Sequence, residues 1–113
     1  MNIVTVGVAS IGDSKKRLAS AFRGEPQDQR IAFASVDLLW KTLGPKRWDI
    51  IRAMTGQGPL SIREVARRVG RDVKAVHGDV QALIDAGVID RRDGGVVFPY
   101  DAIHVNFMLA DAA

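Results

Sequence analysis

Cysteine is absent from this chain, and that absence removes disulfide scaffolds, thiolate metal sites and cysteine nucleophiles together. The two histidines, His77 and His104, stand too far apart in sequence to hold zinc on their own. No uninterrupted apolar run approaches the roughly 20 residues that span a bilayer, and the opening MNIVTVGVAS has no basic region followed by a longer apolar stretch. The expected location is therefore the cytoplasm, with no membrane partner. Serines are few, neither histidine sits in a nucleophile motif, and Gly94-Gly95 reads as a turn with no phosphate-loop lysine after it. There is no internal repeat and no low-complexity tract. The chain is expected to be a binder and not an enzyme, with no cofactor and no metal.

What is present is an apolar content of 47% in 113 residues, enough for one compact core with little to spare. The net charge of +3 is modest, but its distribution is uneven. From Pro45 to Arg92 ten basic residues stand against six acidic ones, whereas after Arg92 there are three acids and no base. A solvated helix face is the bland account of such arginines. Their spread over two helices and a hairpin tilts the expectation toward phosphate contact.

Along the chain, Ile3 to Val8 is β-branched and predicts a strand. Asp13 to Arg23 predicts a helix with Lys15, Lys16 and Arg17 exposed, and Gly24 to Gln29 a polar loop. Arg30 to Phe33 predicts a short strand, after which Ser35 caps a helix through Leu43 that buries Val36, Leu39, Trp40 and Leu43. Gly44-Pro45 ends that helix and opens another, which buries Trp48, Ile50 and Ile51. Ile103 to Leu109 alternates apolar and polar and predicts a strand with one buried face, with Tyr100 packing it onto the helices. A sheet made only of these terminal strands would expose its edges. They are expected to pair between the subunits of a homodimer.

The stretch Ser61 to Phe98 carries the densest signals. Ile62, Val65, Ala66 and Val69 fall at i, i+3, i+4 and i+7, so one face is buried while Arg63, Glu64, Arg67 and Arg68 stay wet. Ser61 and Glu64 form a capping box at its start, and Gly70 ends it in the left-handed region. A second helix follows at once, with Asp72 as N-cap, Gly87 as stop and a buried stripe of Val73, Val76, Val80, Leu83 and Ile84. So short a link forces the two helices to cross. Val88 to Arg92 and Gly95 to Phe98 then flank Asp93-Gly94, a dipeptide suited to a type I′ hairpin turn. Two crossed helices and a hairpin make a winged helix-turn-helix.

These residues resemble the MarR-like winged helix-turn-helix regulators: Ala66-x-x-x-Gly70, Val76 six residues on, Val80 and Leu83, and the run from Leu83 to Ile89 into the wing. Gly70 to Val80 is similar to a subgroup of small bacterial and archaeal DNA-binding proteins, some of them antitoxins. That subgroup tends to end its wing in Pro-Tyr-Asp, here Pro99-Tyr100-Asp101. The resemblance implies an α+β fold, a winged helix-turn-helix over residues 45–99. A strand and helix extension (1–44) precedes it and a C-terminal strand and tail (100–113) follows, the extra strands forming a dimerisation sheet. It also implies a sequence-specific regulator of transcription, a dimeric repressor on double-stranded DNA. The recognition helix would span about residues 72–86 and the wing about residues 88–98.

The expected DNA contacts follow from position. Arg71, Lys74, Ala75, His77, Gly78 and Gln81 point away from the buried stripe of the second helix. Arg71 or Lys74 suit guanine edges or phosphates, and Gln81 suits adenine or a phosphate. Arg63, Arg67 and Arg68 would lie across the backbone, Ser61 is a further expected DNA contact, and Arg91 and Arg92 would enter the minor groove. Asp79 is awkward beside phosphates, and an ion pair to Arg67 or Arg71 is its expected role. Gly78 needs a reason, either close approach of DNA or packing beneath another helix. Ala75 and Gly78 stand where the family pattern favours longer polar side chains, so specificity is expected to lean on paired half-sites and DNA shape. The alternative from another class is an antitoxin that neutralises a protein toxin and binds DNA to autoregulate its operon. A third is a winged domain used only for protein contacts, which predicts no salt-dependent affinity for duplex.

Overall fold

The computed structural model describes residues 1–9, 19, 22–24 and 29–107. The expected helix over Asp13 to Arg23, the loop after it and the last residues of the C-terminal strand lie wholly or mostly outside that set. The described elements are β1 (Ile3–Val8), β2 (Gln29–Phe33), α1 (Val36–Thr42), α2 (Pro45–Met54), α3 (Ile62–Val69), α4 (Val73–Asp85), β3 (Asp90–Arg92), β4 (Gly95–Val97) and β5 (Ala102–Asn106). The chain is α+β, and no described helix is long and apolar enough to cross a membrane.

The terminal strands find one another within one chain. β1 lies between β2 and β5 and runs parallel to both, with Val4 opposite Gln29 on one side and Ile103 on the other. The expected pairing between subunits is therefore corrected: these strands form a sheet without a second copy. The physical reason is that parallel neighbours need a long crossover, and everything from α1 to β4 supplies one. Val4 and Val6 are fully buried on the inner face. The Pro99-Tyr100-Asp101 segment fastens the arrangement. Asp101 accepts from the backbone N–H of Asn2 at 2.7 Å and returns its own N–H to the Asn2 carbonyl at 2.7 Å. Tyr100 meets Phe98 edge-on, with ring centroids 5.4 Å apart.

Helix α1 is capped by Ser35, whose hydroxyl accepts from the Leu38 N–H at 3.1 Å. It buries Leu39 and Leu43, but Trp40, expected in the core, is 50% exposed. In a helix of seven residues the buried stripe has room for little else. Trp40 instead meets Phe107 edge-on at 5.5 Å. One core joins the sheet to the helices: Val4, Val6 and Phe33 share a cluster with Leu39, Ile50, Met54, Val65, Val76, Val80 and Leu83.

Ser61 caps α3 by accepting from the Glu64 N–H at 3.1 Å, and Gly70 ends the helix at φ +67°. The reciprocal half of the expected capping box gives way to Arg67 and Arg68, which take the Glu64 carboxylate. The Asp72 carboxylate accepts from the N–H groups of Lys74 and Ala75 and starts α4. Val73, expected in the buried stripe of α4, is 41% exposed: it is the first residue of the helix and opens on the space beside the start of α3. The hairpin strands are shorter than expected: Val88 and Ile89 leave α4 as buried core. The expected type I′ turn does not form. Asp93 keeps a negative φ while Gly94 and Gly95 take +93° and +136°, whereas type I′ needs positive φ at both central residues. Gly95 is where β4 leans on the loop before α3. Leu60 and Val96 exchange two backbone hydrogen bonds of 2.8 Å, and a Cβ on Gly95 would run into the Leu60 carbonyl.

Candidate nucleic-acid interface

The start of α3, the first half of α4 and the hairpin enclose an open groove of about 550 Å³. Ser61, Arg63, Val73, His77, Arg91 and Arg92 line it, and among the described residues no carboxylate does. Arg63 and His77 are exposed and make no ion pair among the described residues, and the same holds for Lys74 on the outer face of α4. The Ser61 oxygen is committed to its cap, which leaves the hydroxyl proton free to donate outward. Arg92 makes an exposed contact of 3.3 Å to Asp90, which water screens heavily.

Farther from the groove the arginines are spoken for. Arg67 pairs with Glu64 at 2.6 Å, and its hydrogen bond holds that carboxyl below the usual carboxylate range. Arg68 bonds Gln57 at 2.7 Å and lies 3.6 Å from Glu64. Both stay near enough to solvent to exchange these partners for a phosphate.

Arg71 does not, and its expected place on the reading face is corrected. The structure puts it 2.8 Å from Asp79, while Arg47 reaches the other Asp79 oxygen at 3.1 Å. Arg71, Arg47 and Asp79 keep only 21%, 25% and 19% of their side-chain exposure. Burial pushes the Asp79 carboxyl up, but hydrogen bonds from Arg71 and Arg47 outweigh it, so its pKa falls below the ordinary value. The Arg71 Nη1 atom is buried without a partner among the described residues. Arg47 also donates to the Thr42 carbonyl at 3.0 Å and so closes the end of α1. This triad ties α1, α2 and the α3–α4 turn to α4. The pairing of Asp79 with Arg71 accords with one of the two expected partners, and Arg47 was missed. Its signal lay in the sequence: Lys46 and Arg47 occupy the first turn of α2, where the helix dipole disfavours cations.

Gln81 is also engaged. Its amide donates to Asp85 at 3.0 Å and accepts from Arg91 at 2.6 Å, which links α4 to the hairpin. Ala75 and Gly78 are exposed on the outer face of α4. A Cβ on Gly78 would meet nothing within 4 Å among the described residues, so no described helix lies over it and none of them gives the packing account support. Val73 belongs to the groove although the sequence pattern assigned it to the core. Among the described residues no group of three or more potential ligands could hold a metal ion.

Fold and site together define a small α+β domain that carries a cationic groove between two crossed helices and a hairpin. The chain belongs to the HVO_A0114 family, whose model matches residues 42–105, a span that holds the whole groove and omits β1 and β2. It is also similar to the uncharacterised protein MJ1503 of Methanocaldococcus jannaschii, at 39% identity over 61 residues. That match takes in 50% of this chain and 43% of the relative, so the chain matches less than half of that protein's length.

Proposed function

We propose that α3, α4 and the β3–β4 hairpin constitute a winged helix-turn-helix of the MarR-like kind, and that the protein is a sequence-specific DNA-binding regulator acting as a repressor. The observation that carries this reading is the carboxylate-free groove, rimmed by Arg63, Arg91 and Arg92, beside an α4 face that is shallow at Ala75 and Gly78. A duplex neutralised there releases counterions, which gives affinity and a strong salt dependence. α4 enters the major groove with Lys74, His77 and Gln81 toward base edges and phosphates, while Ser61 and Arg63 hold the backbone. Val73 adds an apolar contact suited to a thymine methyl group. Two copies on adjacent half-sites supply the repressor.

The test is a salt titration of affinity for duplex from the gene's own upstream region, read by fluorescence anisotropy. The wild-type chain should bind with a steep dependence on salt. Replacing Arg63 and Lys74 by alanine should flatten that slope by about two phosphate contacts and leave the thermal midpoint unchanged. A chain with no salt-dependent affinity for any duplex would sink the reading. Sedimentation of the complex, expected at two chains per site, checks the dimer.

A further inference from the structure

The outer face of α4, opposite its buried residues Val76, Val80 and Leu83, presents Lys74, Gly78, Gln81 and Asp85 at i, i+4, i+7 and i+11. Asp85 is the odd member. It is an exposed carboxylate at the far end of a face otherwise suited to a polyanion, where it repels phosphates, so its presence calls for a task. The geometry of Gln81 supplies one. Arginine has donors only, so the Gln81 atom 2.6 Å from Arg91 must be the carbonyl oxygen. An ionised carboxylate only accepts, so the atom 3.0 Å from Asp85 must be the amide nitrogen. The two neighbours, one on α4 and one on the hairpin, therefore fix a side-chain amide that would otherwise flip freely.

With both contacts made, Gln81 keeps one lone pair on its oxygen and one proton on its nitrogen. An acceptor beside a donor is the complement of adenine in the major groove, which shows N7 as acceptor and the N6 amino group as donor. Guanine shows two acceptors there and cannot satisfy the pair. The open space at Gly78, one turn before Gln81, lets a groove floor come close enough for a side chain of this length.

We infer that Asp85 and Arg91 are positioning residues that lock the Gln81 amide to read adenine at one position of the site. This deepens the proposed DNA-binding function and rests on it. Arg91 then acts through Gln81 on the major-groove side, in place of the minor-groove role expected from sequence.

The experiment selects preferred duplexes from a randomised library with the full-length wild-type chain. It then measures Kd for the best duplex and for single A·T to G·C replacements in it. One replacement should weaken the wild-type roughly tenfold to a hundredfold and leave Gln81→Ala indifferent. Asp85→Ala and Arg91→Met should lose the preference at that same pair while keeping preferences elsewhere. Asp85→Asn, whose amide oxygen still accepts, should retain it, and thermal midpoints should not move. If Asp85→Ala and Arg91→Met still discriminate at the Gln81-dependent pair, or if no pair depends on Gln81, the positioning role is wrong. A wild-type chain that binds no duplex would remove the proposed function and this inference together.

Discussion

The two flanks of α4 use arginine in opposite ways. On the α2 side Arg47 and Arg71 converge on Asp79 in a half-buried triad, and on the hairpin side Arg63, Arg91 and Arg92 line an open groove with no carboxylate among the described residues. The first set has given up most of its solvent, so its value lies in pairing. Removing the acid would strand two guanidinium groups in a poor environment. The second set stays exposed: Arg63 makes no ion pair among the described residues, Arg92 has only an exposed contact to Asp90, and Arg91 is held at Gln81. Cationic residue counts alone, which run through both sets, would credit the triad to the binding face.

The sharpest way to break the hairpin flank is Gly95→Ala. Both the φ of +136° and the Leu60 carbonyl oppose a Cβ there, and strain plus overpacking should cost on the order of 3 kcal/mol. Urea unfolding reads this directly, and a loss under 1 kcal/mol would mean that β4 is not held against Leu60. Next comes Asp79→Ala on the other flank, with an expected cost of about 2 kcal/mol. That is below the penalty for a dry site, because the triad retains some solvent. If the groove binds duplex as proposed, its affinity, compared at a temperature where the variant is folded, should change far less.

Acid tests the same triad without a cavity. The Asp79 carboxyl titrates below its ordinary value in the folded chain. Its contribution is therefore complete above the unfolded carboxylate pKa of about 4 and is lost as pH falls through the folded pKa. Unfolding midpoints between about pH 6 and pH 2 should fall more steeply for the wild-type than for Asp79→Asn; parallel curves would show that Arg47 and Arg71 add nothing to the charged form. The smallest expected effect has the opposite sign. Gly78→Ala should stabilise the chain by about 1 kcal/mol, since a glycine in mid-helix with open space around it pays only the backbone penalty. If the duplex approaches as closely as proposed, the same variant should bind DNA more weakly, so stability and affinity separate in one substitution.

Much of the central unit was legible because its signals are local. Ser61, Gly70 and Asp72 sit where the cap rules put them, and the i, i+3, i+4 stripe of α3 is followed by the structure. What escaped depends on distance along the chain or on geometry. Arg47 and Asp79 are 32 residues apart, and the choice of strand partners spans nearly the whole chain. Trp40 and Val73 failed because periodicity marks a face without marking where that face ends. The hairpin turn failed because Asp-Gly permits type I′ without enforcing it, and the bond between Val96 and Leu60 constrains the local backbone. For the site, eleven of the twelve expected residues stand at or near the surface, and Arg71 alone is drawn into the triad.

The pair of bonds between Leu60 and Val96 has a mechanical meaning. Leu60 immediately precedes the residue that caps α3, so the hairpin and the first helix of the crossed pair are riveted through a single joint. The span between Arg92 and Arg63 is then tied to that joint, and widening it would strain the two bonds. If the groove takes a duplex as proposed, one that is stiff at the wrong width would have to deform or be refused, and the joint would select on the compliance of DNA as well as on its letters.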